Sequence, residues 1–352
     1  MLLQAHSPRG LGSLLLMCAL GLYLALVASI SLGPMDISFS DSMRALLPKQ
    51  SFLPSELAPH IEVIIRQVRL PRTLLAIAIG AILALCGTVM QSLFRNPLAD
   101  PGIIGVSAGA SLGAALSIVL FGSLAQHYPE VLLFATVPVC AFIGGALTTV
   151  LVYRLGSGPN GTSVTMMLLA GVALSALAGA GLGLLNYYAD DQALRDLSLW
   201  TMGSLAGASW PGLALAYASL LVLGVLFYRH AKSLNALLLG EAEARHLGVN
   251  VQSLKRFCIL LTAAGVGICV ALSGMIGFVG LIVPHLGRML CGPNHQRLLP
   301  LAALLGALLL LLADMGARTL IAPLDMPVGI VTAILGAPFF IVLLIKQRGR
   351  IS

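Results

Sequence analysis

Lys232-Ser233-Leu234-Asn235-Ala236-Leu237-Leu238-Leu239-Gly240-Glu241-Ala242-Glu243-Ala244-Arg245-His246-Leu247-Gly248-Val249-Asn250-Val251-Gln252-Ser253-Leu254-Lys255-Arg256 is the longest markedly polar interruption in the second half of a chain that otherwise passes from one apolar run to the next. It reads as two short helices. Ser233 is placed to cap the first, which ends near Leu239. Glu241 and Glu243 open the second, Arg245 and His246 close it, and Gly248 stops it, so that acids precede bases as the helix dipole favours. Leu237, Leu238, Leu239, Ala244 and Leu247 give the segment an apolar side suited to a partner protein. The same residues, with Lys232, Arg245, Lys255 and Arg256, would also suit a helix lying on anionic headgroups, and the pattern alone leaves both readings open.

The surrounding sequence says what the interruption interrupts. Of 352 residues, 58% are hydrophobic and 9% charged, and mean hydropathy is +0.98; a soluble domain carries roughly 25% charged residues. The chain is therefore predicted to be all-α, a polytopic membrane protein. Its +7 formal charge is read as topology rather than as nucleic-acid binding, because no stripe of bases and aromatics accompanies it. Cys18, Cys86, Cys140, Cys258, Cys269 and Cys291 lie in or beside apolar runs with no Cys-x-x-Cys pair, so they read as small buried hydrophobes.

On a ruler of roughly 20 residues per crossing, spans are predicted at 11–32, 61–94, 103–121, 131–153, 164–187, 211–228, 257–272, 278–290, 298–320 and 328–345, about ten in one bundle and one domain over 1–352. The second run is expected to break near Arg66, Arg69, Pro71 and Arg72. A proline-bearing loop from Gly33 to about Glu62, with Pro34, Pro48, Pro54 and Pro59, separates it from the first. With the N-terminus inside, 13 of the 20 Lys and Arg fall inside and 7 outside, the bias that sets membrane orientation. The seven exceptions are Arg44, Lys49, Arg66, Arg69, Arg72, Arg195 and Arg318. They suggest a docking surface, but Arg66, Arg69 and Arg72 could instead snorkel to headgroups or pair locally with acids such as Glu62, and Arg318 could pair with Asp314.

Gly105, Gly109 and Gly113, four apart, predict close helix packing, and Gly274, Gly277 and Gly280 predict a broken or tightly turned helix pair. Asn96–Gly102 and Gly156–Gly161 are inner loops that could act as hinges. No lysine follows a glycine, so the chain holds no phosphate-binding loop for ATP, no His-Glu-x-x-His occurs, and a serine in a span is no nucleophile without a base in reach. Span carboxylates are nearly missing, Asp314 being the clearest, whereas an ion-coupled carrier would need several. His285 could ligate metal or haem but is expected to be satisfied by a backbone carbonyl; Met166, Met167, Tyr187, Tyr188 and Met202 could line a path but are expected to pack.

Arg69-Leu70-Pro71-Arg72, the run Gly87 to Pro101, Gly105-Val106-Ser107-Ala108-Gly109-Ala110, Leu169 to Leu174, Leu239-Gly240-Glu241 with Ala244-Arg245 and Leu247-Gly248, Gly277-Phe278-Val279-Gly280-Leu281 with Pro284-His285, Ala313-Asp314 and Pro327-Val328-Gly329 together resemble the FecCD family of ABC importer permeases. The resemblance runs from the second span to the last. It implies a type II importer fold and a homodimer in the bacterial inner membrane, with both termini cytoplasmic. It also implies two cytoplasmic ATPase subunits that bind the ATP and Mg, no cofactor or metal in this chain, and a periplasmic substrate-binding protein. Coupling to the ATPases is implied for Leu239, Gly240, Glu241, Ala244, Arg245, Leu247 and Gly248, within coupling helices at about 233–248. Docking of the binding protein is implied for Arg69, Arg72 and Arg318, and an inner gate for Asn96, Leu98, Val164 and Thr165. The family's cargoes are iron siderophores, haem and cobalamin; haem or another iron complex is the expected substrate and cobalamin the alternative. A secondary carrier and a membrane scaffold are the rivals from other classes.

Overall fold

An apolar run in lipid must satisfy its own backbone, and a single segment can do so only as a helix. In the computed structural model, which describes residues 8–46, 58–121, 130–158 and 161–348, the chain is accordingly almost all helix. In chain order the helices are α1 Pro8–Ser31, α2 Phe39–Leu46, α3 Pro59–Val63, α4 Leu70–Leu93, α5 Val106–Leu116, α6 Glu130–Gly156, α7 Val164–Tyr188, α8 Asp191–Thr201, α9 Trp210–Arg229, α10 Ala231–Leu239, α11 Glu241–His246, α12 Val251–Ser273, α13 Val279–Cys291, α14 His295–Thr319 and α15 Val328–Arg348. A two-residue hairpin, β1 Ser157–Gly158 with β2 Gly161–Thr162, joins α6 to α7. Among the described residues seven helices are long and apolar enough to cross a membrane, and three shorter apolar helices bring the number to the predicted ten. Lys49, Pro48 and Pro54 of the expected outer loop lie outside the described residues, as do Pro159 and Asn160 of the second inner loop.

The core is organised around α4, which is buried almost throughout and packs on α14, α13, α9 and α12. Small residues allow the approach. A Cβ on Gly80 would strike the carbonyl of Gly306 in α14, and one on Gly87 the carbonyl of Gly280 in α13. The glycine stripe of α5 does what its spacing predicts: Gly109 and Gly113 lie against Gly144 and Cys140 of α6. The α12–α13 break also stands where three glycines predicted it, with Gly274 and Phe278 both at positive φ.

Three expectations are corrected. The second run does not break at Arg66 to Arg72. A π-helical turn, Ile64–Arg69, carries α3 into α4, and the Leu70 amide reaches back to the Ile65 carbonyl. A wider turn absorbs Pro71, which lacks a donor and would crowd the carbonyl one turn earlier. Ser233 does not cap the first short helix, because that helix opens at Ala231 directly after α9 and places Ser233 inside it. Finally α12 starts at Val251 rather than Phe257, with Asn250 Oδ1 accepting from Ser253 N at 3.0 Å, so Lys255 and Arg256 belong to a helix.

Candidate functional site

Antiparallel packing defines two ends of the bundle. One gathers the end of α4 and the loop after it, the start of α5, the end of α6 with the hairpin, the start of α7, and α10, α11 and the first turn of α12. The other gathers the end of α1, the start of α4, the end of α14 and the loop before α15.

At the first end the two short helices meet at Gly240, and Gly248 follows the second; both glycines are at positive φ, so the backbone can reverse there. Their apolar side is divided. Leu234, Leu237 and Ala244 are spent on the core, while Leu239 at 66% and Leu247 at 63% exposure face outward. Arg245 stands 3.8 Å from Glu241 one turn earlier, and Glu241 Oε1 accepts from Lys255 Nζ at 2.5 Å. An open groove of about 640 Å³, lined by His230, Ser233, Leu247, Asn250 and Phe257 among others, runs beneath these helices.

The two candidate gate loops lie at this same end. Arg95 takes a left-handed backbone, Asn96 Oδ1 accepts from Leu98 N at 2.9 Å, and Asn96 O accepts from Ala99 N at 3.1 Å, so a tight turn presents Asn96 and Pro97 to the outside. Asp100 Oδ1 then accepts from Gly102 N at 2.7 Å; burial lifts its carboxyl above the usual range and that amide opposes the lift. Ser163 caps α7, which leaves Val164 half-buried and Thr165 exposed in its first turn. A cavity of about 290 Å³ beside the first loop is lined by Gln91, Ser92, Arg95, Asn96, Arg288 and His295 among others.

Sequence reasoning missed His295. Buried at the start of α14, its Nε2 lies 2.5 Å from Ser92 Oγ and its Nδ1 2.8 Å from Asn235 Oδ1, so α4, α10 and α14 meet at one ring. His285, which sequence reasoning did single out, has no carbonyl partner among the described residues and instead meets Phe339 edge-on at 5.9 Å. Met166 and Met167 start α7 while Tyr187 and Tyr188 end it, about 30 Å apart at 1.5 Å per residue, so they do not form one lining.

At the far end Arg69, Arg72 and Arg318 are 3%, 5% and 2% exposed. Arg69 donates to the carbonyls of Ile30 at 3.0 Å, Ser31 at 2.6 Å and Met35 at 2.5 Å, which places its cation on the carbonyl end of α1. Arg72 donates from Nε to Asp314 at 2.9 Å and forks onto both oxygens of Asp325 at 2.5 and 2.9 Å. Arg318 pairs with Asp314 at 3.1 Å, without the alignment of a hydrogen bond, and donates to Ser29 Oγ at 2.7 Å. Ser29 Oγ lies 2.7 Å from Thr73 Oγ1. The local pairings Arg318 with Asp314 and Arg66 with Glu62 at 3.6 Å are both present.

A bundle of ten apolar helices among the described residues, built around the buried α4, with a paired-helix segment and two turned loops at the same end, is the framework of a membrane permease. The comparisons make the class specific. The FecCD transport family matches residues 21–346, and the chain belongs to that family. It is 49% identical over 285 residues to the hemin transport system permease protein HmuU of Yersinia pestis, covering 81% of this chain and 84% of the relative. It is 42% identical over 290 residues to the vitamin B12 import system permease protein BtuC of Klebsiella pneumoniae (82% and 84%), and 39% identical over 333 residues to the molybdate import system permease protein MolB of Haemophilus influenzae (94% and 95%). A solved inward-facing conformation of a metal-chelate type ABC transporter superposes with a TM-score of 0.79 at 36% identity, covering 96% of this chain and 99% of that one. The protein is thus a multi-pass ABC-transporter permease subunit, a transport component and not itself an enzyme.

Proposed function

We propose that this chain forms the membrane pathway of an ATP-driven importer that takes haem or another iron complex from a periplasmic binding protein and releases it into the cytoplasm by alternating access. Two copies would enclose the path in the bacterial inner membrane, with both termini cytoplasmic and an ABC ATPase beneath each copy holding the ATP and Mg. The observation that carries the reading is convergence. The outward-facing Leu239, Leu247 and Arg245 share one end of the bundle with the loops of Asn96 and Leu98 and of Val164 and Thr165, so a subunit pressing on the first group acts beside the second. We assign these loops to the inner gate and the segment from Leu239 to Gly248, with Gly240, Glu241 and Ala244, to ATPase coupling.

Haem is favoured by the identity to the hemin permease, and cobalamin is the second reading on the strength of the vitamin B12 permease relative. An ion-coupled carrier fits less well, because the buried carboxylate among the described spans is Asp314, already neutralised by two arginines. We assign the far end to the binding protein. Arg69, Arg72 and Arg318 are committed to internal partners there, so a docking carboxylate would reach Arg72 by displacing Asp325, whose side chain is 37% exposed.

The test is ATP hydrolysis and uptake in liposomes holding the permease with its ATPase, challenged with binding proteins loaded with haem, a ferric siderophore or cobalamin. Stimulation by the haem-loaded protein, with haem accumulating inside, is expected. Stimulation by cobalamin alone would replace the substrate, and uptake driven by an ion gradient without ATP would overturn the importer reading.

A further inference from the structure

Lys255 is 2% exposed in the first turns of α12, yet it belongs to neither the lipid face nor the apolar core. An ammonium has three protons to place and no acceptor of its own. Here one reaches Glu241 Oε1 on α11 at 2.5 Å and another the carbonyl of Thr162, the last residue of β2, at 3.3 Å. One turn earlier, Gln252 Oε1 accepts from the amide of the same Thr162 at 3.0 Å. Both backbone polar groups of Thr162 are therefore held by side chains of α12. Gly161 is at positive φ, and a side chain on it would collide with the Gln252 amide, so the hairpin is pressed against that helix. The residue after Thr162 is Ser163, which caps α7, and Val164 and Thr165 form the first turn of α7.

We propose that Lys255 is a coupling residue that transmits displacement of the α11 segment to the loop before α7, with Gln252 as its second anchor on that loop. The proposal rests on the reading of this chain as an ATP-driven permease and adds the connection between the assigned coupling segment and the assigned gate loop beside it. The chemistry suits the role. A buried ammonium shared between a carboxylate and a carbonyl cannot release one without leaving a desolvated charge short of a partner, so the three groups move together. Glu241 has its other oxygen toward Arg245 at 3.8 Å on the exposed side, where a partner subunit would press, and its inner oxygen toward Lys255. The path thus runs from an exposed helix through one ion pair to the backbone of the candidate gate, without crossing the apolar core.

The experiment reconstitutes the complete importer with wild-type permease and with Lys255→Met, Lys255→Arg and Gln252→Ala, and measures cargo taken up per ATP hydrolysed. A rivet that only stabilises the fold would lower assembly and leave that ratio alone. Transmission predicts a ratio lowered about tenfold in assembled Lys255→Met, lowered severalfold in Gln252→Ala, and largely restored in Lys255→Arg, which keeps a charge and donors for both acceptors. An unchanged ratio in assembled Lys255→Met overturns the proposal. If that variant does not assemble, an unchanged ratio in Gln252→Ala overturns it instead. Failure of the underlying reading is distinct, because the wild-type importer would then show no ATP-dependent uptake to be uncoupled.

Discussion

At the scale of single residues the far end is governed by Asp314, a fully buried carboxylate between two arginines. Its cost of desolvation is offset only while both cations stay in place; Arg318 relies on it in turn, while Arg72 keeps Asp325 as a second carboxylate. Replacing one member of such a set strands the others, which typically costs ~3–5 kcal/mol. Asp314→Ala is therefore expected to lower the unfolding midpoint in detergent by far more than Asp41→Ala, whose pairing with Arg44 at 3.8 Å is exposed; equal midpoints would show that the network does not hold the helices. Asp325 is the member open to solvent. If a binding-protein carboxylate competes for Arg72, Asp325→Asn weakens the internal rival and should tighten docking about tenfold, or ~1.4 kcal/mol, in a binding titration at low salt, with the gain shrinking as salt rises. Weaker or unchanged docking would remove Arg72 from that interface. The sequence offered Asp314 with Arg318 as neighbours one turn apart. The pairing of Arg72 with Asp314, 242 positions distant, was not legible, because nothing local encodes it.

At the scale of elements, glycine positions decide which helices touch. A methyl group on Gly80 would meet the Gly306 carbonyl, a rigid backbone atom, whereas one on Gly224 of α9 meets nothing within 4 Å. Gly80→Ala should destabilise by ~1–3 kcal/mol through forced separation of α4 and α14. Gly224→Ala should be neutral or slightly stabilising through helix propensity. Thermal unfolding of the two variants side by side checks the pair, and equal midpoints would mean that α4 and α14 can separate without loss. The apolar runs, the stripe on α5 and the break before α13 were readable because each has a period or a composition. The π turn at Ile64–Arg69 was not: Pro71 announces a disturbance but does not say whether the chain stops or widens. Nor was α8, a short amphipathic helix in what reads as a polar loop, whose cap, Asp190 Oδ1 accepting from Ala193 N at 2.7 Å, resembles any turn of the kind.

At the scale of the whole molecule, a permease with no phosphate-binding loop in its sequence would, on the proposed reading, take its motion from a surface, and burial divides the residues of the 231–248 segment that we assign to that surface between holding and presenting it. Leu234, Leu237 and Ala244 anchor it, so their substitution would damage the fold and reveal little about partners. Leu239 and Leu247 do the opposite: their side chains stand in the open at the two glycine reversals. The sequence reading counted Leu237, Leu238, Leu239, Ala244 and Leu247 together, since alternation along a short helix does not say which neighbour covers which face; only the packing of α10 against α4 and α14 does. Changing both exposed leucines to aspartate should therefore leave the unfolding free energy within about 0.5 kcal/mol of wild type, the range usual for surface substitutions. It should also abolish copurification of the ATPase, because two carboxylates would be desolvated in an apolar contact. Retained copurification with retained uptake would move the ATPase contact elsewhere on this end, whereas loss of the partner with an intact fold would fix the 231–248 segment as the place where the energy of nucleotide binding enters the membrane.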